Sequence, residues 1–228
     1  MLTLLRQAPW VEYLAQGADV LTLLPLGVAV GRWRRLTWPL RLLAVGLAVS
    51  AGLLGVLVLG RTAPAEALLW HLYTVVQTLF VGGVYAYAFR EPRHRTGVRA
   101  ALGVFVLSAV LDWTWLDRGQ AVHTYTHSLQ TVLLLTLAAL YLRQLARELP
   151  VQRLEHDPVF LVSSGVVMYF SATLLFYVLL PPFIGASALG QRVVVVLISL
   201  VSCLQSVLFA LAFYWAPGPY PQPSSSAP

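Results

Sequence analysis

His123-Thr-Tyr-Thr-His127 sets two imidazoles four residues apart. On a helix that spacing puts both on one face, within reach of one metal ion. His71 and Asp112 are the side chains that could complete a tetrahedron, so His71, Asp112, His123 and His127 form a candidate zinc site. A second reading uses the same neighbourhood differently. Tyr73, Thr74, Gln77, Asp112, Tyr125, His127 and Gln130 could line a polar pocket for a small ligand between bundled helices. A third reading has these groups bonding only to one another and to interfacial water. Asp19 and Asp112 fit that one least, because a buried carboxylate must be protonated or paired.

The elements that carry these residues follow from composition. Of 228 residues, 58% are hydrophobic and 11% charged, with mean hydropathy +0.75. Soluble domains carry about 25% charged residues. So few polar groups cannot cover a water-facing globule, which excludes a soluble enzyme, and the same numbers exclude disorder for the body of the chain. All fifteen basic residues are arginine, so no lysine exists to hold retinal as a Schiff base. The single cysteine, Cys203, provides neither an internal disulfide nor a thiolate cluster.

A bilayer core needs roughly 20 mostly apolar residues per helix. The gaps between charges predict seven spans, at about 11–31, 40–60, 67–89, 98–116, 122–142, 159–181 and 192–215. Pro181, Pro182 and Gly185 end the long uncharged tract after Pro158. The fold expected is therefore all-α: a polytopic seven-helix bundle over residues 1–216, with a Pro/Ser-rich disordered tail at 217–228.

Arginine predicts the orientation. Arg32, Arg34, Arg35, Arg41, Arg90, Arg93, Arg95, Arg99, Arg143, Arg147 and Arg153 fall on one side, and Arg6, Arg61, Arg118 and Arg192 on the other. Positive residues favour the cytoplasmic side, which puts the N-terminus outside and the C-terminus inside a cytoplasmic (inner) membrane. The basic excess is a topology signal and not a nucleic-acid footprint. No cleaved signal peptide is expected in Met1–Trp10. The tryptophans cluster at predicted span ends, and small residues repeat every fourth position on span two, as Gly46 with Ser50, Ala48 with Gly52 and Ala51 with Gly55.

Ionisable groups inside a span are costly and are candidates for function. Counting from the arginine-rich ends, His71 lies shallowly in the outer leaflet, with Gln77 roughly 10 Å deeper at 1.5 Å per residue. His123, His127 and Gln130 share one face of span five, and Asp112, Asp19 and Glu12 occupy the same outer half. The hydroxyls of spans six and seven are expected to bond to their own backbone, with Gln205 and Tyr169 as interior contacts. The cluster Arg90–Arg95 reads as a lipid-headgroup anchor.

Three stretches carry a resemblance: His71-Leu-Tyr73-Thr74 followed by Gln77; Tyr125 through Gln130; and Asp157-Pro158-Val-Phe160 running into Gly165-Val-Val-Met-Tyr169-Phe170-Ser171. Together they resemble small, mostly uncharacterised bacterial seven-helix membrane proteins often encoded beside sensor histidine kinases. The resemblance implies a membrane-embedded sensory or accessory role and a cytoplasmic signalling partner such as a kinase. Relatives carry glutamate where this chain has Gln77 and Gln130, so an acid or metal ligand is missing here; His123 and His127 also depart from the pattern. A second likeness is to membrane hydrolases of the alkaline ceramidase type, which use three histidines, an aspartate and a serine around zinc; no serine partner stands at that depth here. Here the paired histidines stand on span five instead of the last helix. The favoured expectation is a sensor or accessory protein in the lipid bilayer, not an enzyme. The alternatives are a zinc-dependent membrane hydrolase and a proton-coupled small-molecule transporter.

Overall fold

The computed structural model describes residues 17–18, 20–59, 63–116, 124–148, 157–179 and 188–216. They form seven α-helices and no strand: α1 (Leu24–Gly31), α2 (Trp38–Leu59), α3 (Ala63–Ala88), α4 (Pro92–Leu111), α5 (Thr124–Glu148), α6 (Pro158–Leu179) and α7 (Ala188–Tyr214). A π turn, Asp112–Leu116, continues α4, and a 3-10 turn, Trp33–Arg35, follows α1. Six of these helices, α2 to α7, are long and apolar enough to cross a membrane. The described residues are thus those of a multi-pass helical membrane protein. The first predicted span is only partly described: α1 has eight residues, and the Thr22 N–H donates to Ala18 O (3.1 Å) ahead of it. Residues 11–16 and 19, which that span also needs, lie outside the described residues, as does the tail 217–228.

Helix ends follow local chemistry. Pro92 and Pro158 start α4 and α6, where proline's missing N–H costs nothing because first-turn donors are unpaired anyway. Asp157 caps α6, with Oδ1 accepting from the N–H groups of Val159 (2.8 Å) and Phe160 (3.1 Å). The Asp-Pro pair is therefore a helix-start device. α4 begins six residues before the expected 98, and α5 runs six past the expected 142. Both extensions carry arginines, which prolong a helix beyond the apolar stretch into the polar boundary.

α1 packs on α2 and α7, α2 on α3, α3 on α5, α5 on α6, and α6 on α7, which closes a ring; α4 packs against α3 and α5. Only one stripe of α4 (Val98, Leu102, Phe105, Ala109) is buried, at the four- and three-residue steps of a single helix face. The outward faces carry exposed large apolar side chains such as Val104, Leu107, Val110, Val132 and Leu200. In water such a surface would be a liability; against acyl chains it is matched.

The apolar core sits in the arginine-rich half. It joins Leu40 and Leu43 of α2, Val84 and Tyr85 of α3, Phe89 just after α3, Leu134 and Tyr141 of α5, Val162 and Val166 of α6, and Phe213 of α7. The α2–α3 contact depends on Gly46, where a Cβ would overlap the Cβ and Cγ of Phe80. Gly52 and Gly55, members of the same predicted stripe of small residues, face open space. Close approach is thus confined to one of the three small pairs.

Candidate functional site

The polar residues collect in the other half. The π turn explains how Asp112 arrives there. A π turn advances one residue more than an α turn and leaves carbonyls without their usual donors. The Thr114 hydroxyl supplies one, donating to Val110 O (2.8 Å), with Leu111 O at 3.3 Å. Within the turn Asp112 is turned inward (2% exposed), while Trp115 points out (79% exposed).

Asp112 Oδ2 accepts from the hydroxyl of Thr126, on α5, which is itself buried. Its Oδ1 has no hydrogen-bond partner among the described residues. The next residue, Trp113, lies against the ring of His71 on α3 (centroids 5.4 Å apart). His71 is buried. The π turn therefore joins α3, α4 and α5 at this end of the bundle through one carboxylate, one hydroxyl and one pair of rings.

One turn further along α5, Gln130 is fully buried. Its Nε2 donates to Gln77 Oε1 (3.1 Å) and to Thr74 O (3.2 Å), both on α3. The same carbonyl accepts from the Thr78 hydroxyl (2.7 Å). Gln130 Oε1 is buried with no hydrogen-bond partner among the described residues. Gln77 has a second role. With Tyr73 of α3 it lines a cavity of about 70 Å³ whose other polar residues are Thr22, Ser50, Gln205 and Ser206. That cavity lies where α2, α3 and α7 meet the start of α1.

The described site residues have these positions. Tyr73 and Gln77 line the cavity, Thr74 and Gln130 form the seam beside it, and Asp112 with His71 lies at its end. His127 is half-buried on α5, between Thr126 and Gln130 in sequence, and its carbonyl accepts from the Thr131 hydroxyl (2.9 Å). Tyr125 is 71% exposed and turned away from the seam. His123, Asp19 and Glu12 lie outside the described residues. Among the described residues no three His, Cys, Asp or Glu side chains are close enough to share one metal ion.

Sequence reasoning missed Thr126, Trp113, Ser50 and Thr22. Thr126 had a usable signal, since it stands four residues before Gln130 and so on its face. Trp113 and Asp112 depend on the π turn, which no periodicity announces. Gln205 was expected as an interior contact and lines the cavity; a Cβ on Gly165 of α6 would come 3.5 Å from its Cγ. The hydroxyls of Ser163, Thr173 and Ser206 bond to the backbone four residues earlier, as expected of hydroxyls on membrane helices.

The arrangement defines a class: a multi-pass helical bundle with a neutral polar cavity and a buried amide seam. Comparison with family models, with curated proteins and with solved structures finds no match to this chain.

Proposed function

We propose that this chain is a membrane-embedded sensor or accessory protein that binds a small, uncharged polar molecule and signals through a separate cytoplasmic partner. The observation that carries this reading is the double role of Gln77. Its amide accepts the α3–α5 hydrogen bond from Gln130 and also faces the cavity toward α7. A ligand that takes that amide as its own partner weakens the α3–α5 bond, and a relative shift of two packed helices is a common form of membrane signal.

The ligand class follows from the lining. Among the described residues the lining has six neutral hydrogen-bonding side chains and no ionised one, which favours a neutral molecule bearing hydroxyl or amide groups. About 70 Å³ suits a few heavy atoms. Drug-sized ligands occupy roughly 300–1,000 Å³. In this reading the arginine-rich ends face the cytoplasm of the inner membrane, and the resemblance to kinase-neighbouring proteins points to a histidine kinase as the partner. The test is co-purification of the full chain from native membranes in mild detergent. A signalling protein captured by the wild type, with output altered by Gln77→Leu, supports the reading; capture of no signalling protein sinks it.

One observation favours a second reading. Asp112 is a buried carboxylate with one oxygen unsatisfied among the described residues, which suits a proton carrier in a coupled transporter. Uptake that collapses in Asp112→Asn would establish it, and unchanged flux would remove it. The hydrolase reading is decided by zinc analysis of protein purified without chelator. We expect less than about a tenth of an equivalent, because protein zinc sites bind tightly.

A further inference from the structure

We propose that the groove at the arginine-rich ends of α3, α4 and α5 binds the phosphate of an anionic phospholipid, with Arg143 and Arg147 as its ligands. The groove has a volume of about 220 Å³ and is lined by Phe89, His94, Leu140, Arg143, Gln144 and Arg147, with Glu91 on the α4 side. It is remote from the polar cavity and does not depend on the ligand reading above.

Three observations converge. The first is the state of the arginines. Arg95 donates to Phe89 O (2.6 Å), Arg41 donates to Arg34 O (3.4 Å), and Arg32 lies over the ring of Tyr214 at 4.9 Å. Arg143 and Arg147 are exposed, and among the described residues neither is hydrogen-bonded or ion-paired. They stand one turn apart on the same face of α5, so two forks of N–H donors open onto one groove. Guanidinium matches phosphate oxygens in pairs, which a single ammonium does not.

The second observation is charge balance. Glu91 is the one acid among the described lining residues, and its Oε2 lies 3.3 Å from His94 Nδ1. Against the two guanidiniums of Arg143 and Arg147 the described lining thus sets one carboxylate, which leaves the groove net positive.

The third observation separates lipid from free phosphate. The apolar window of α5 ends at Arg147, so the groove straddles the membrane boundary. Leu140 lies seven residues below Arg147, roughly 10 Å deeper at 1.5 Å per residue. Phe89 adds a second apolar wall. Arginines above and apolar side chains below reproduce the order of a phospholipid, headgroup over acyl chain. Basic pockets between membrane helices are a known way of holding anionic headgroups.

Native mass spectrometry of the detergent-solubilised full chain tests this, with phosphatidylglycerol and phosphatidylcholine of the same acyl chains as probes. We expect phosphatidylglycerol to bind about tenfold more tightly, the scale of one charge-assisted bond pair. The double variant Arg143→Gln, Arg147→Gln should bring the ratio close to one. Arg34→Gln, outside the groove, should leave it unchanged, and the double lysine variant should fall between. If the double variant does not fold, Arg147→Gln alone, at an exposed position in the last turn, carries the test. Equal binding of the two lipids overturns the proposal. Displacement of the lipid by millimolar inorganic phosphate, with phosphate binding on its own, also overturns it and assigns the groove to free phosphate.

Discussion

The two halves of the bundle are stabilised by different means. In the arginine-rich half the buried side chains are mainly Ala, Leu, Val, Tyr and Phe, and all seven helices contribute to one cluster. In the other half the buried residues include His71, Asp112, Thr126, Gln130 and Ser199, and a cavity lined by Gln77 opens beside them. In a lipid solvent the apolar half gains little from the hydrophobic effect, since acyl chains are as apolar as leucine; its stability comes from close packing. The polar half gains from hydrogen bonds that lipid cannot replace. A packed core resists rearrangement, and a seam of a few directional bonds can exchange partners. On the proposed function, the capacity to respond belongs to the polar half.

The largest expected effect tests the packed half. Phe213 is fully buried in the cluster. Phe213→Ala should destabilise by about 3 kcal/mol, the low end for such truncations because the transfer component is small in lipid. Reversible unfolding in mixed micelles measures it. A loss under about 1 kcal/mol would mean that packing is not what holds this half. Gly46→Ala comes next, at about 2 kcal/mol, because the backbone-proximal Cβ of Phe80 cannot swing away. Gly52→Ala, with open space around it, should be neutral or slightly stabilising through helix propensity. Equal losses at both glycines would contradict a close approach confined to Gly46.

Much of the fold was legible in the sequence, because lipid allows few solutions. Apolar runs with few or no charges, bounded mostly by arginine and proline, sufficed to find the six helices long and apolar enough to cross a membrane. α4 and α5 run past the predicted spans at their arginine-bearing ends, because arginine marks the limit of an apolar span and not of a helix. The site was legible in part. His71, Thr74, Gln77, Asp112 and Gln130 were found because a polar group in an apolar span is conspicuous. Their partners were not, because pairing depends on helix rotation. Tyr125 and Thr126 are adjacent in sequence, yet one faces outward and the other holds Asp112. The π turn then rotates Asp112 and Trp113 in a way no repeat encodes.

The polar half is tested by Thr126→Val, an almost isosteric change that leaves Asp112 Oδ2 without its donor. We expect a loss of about 1–2 kcal/mol, since a buried acceptor is left unsatisfied. Thr126→Ser, which keeps the hydroxyl, should recover most of it. A loss as large as that of Phe213→Ala would erase the contrast between the halves.

The smallest effect sharpens the contrast from the arginine-rich side. Arg32 lies 4.9 Å over the ring of Tyr214 and so ties the end of α1 to the end of α7. This charge is at the boundary, where water competes for it, and such cation–π contacts contribute about 0.5–1 kcal/mol. Arg32→Gln should therefore cost about 0.5 kcal/mol, and Tyr214→Leu a similar amount. The double variant should cost about as much as either single one, because one contact is lost in all three. Strict additivity would show that the two side chains act separately, and that α1 is held to α7 by other contacts. The expected non-additivity makes the arginine a latch on a half whose stability lies beneath it, in the packing of Phe213 and its neighbours.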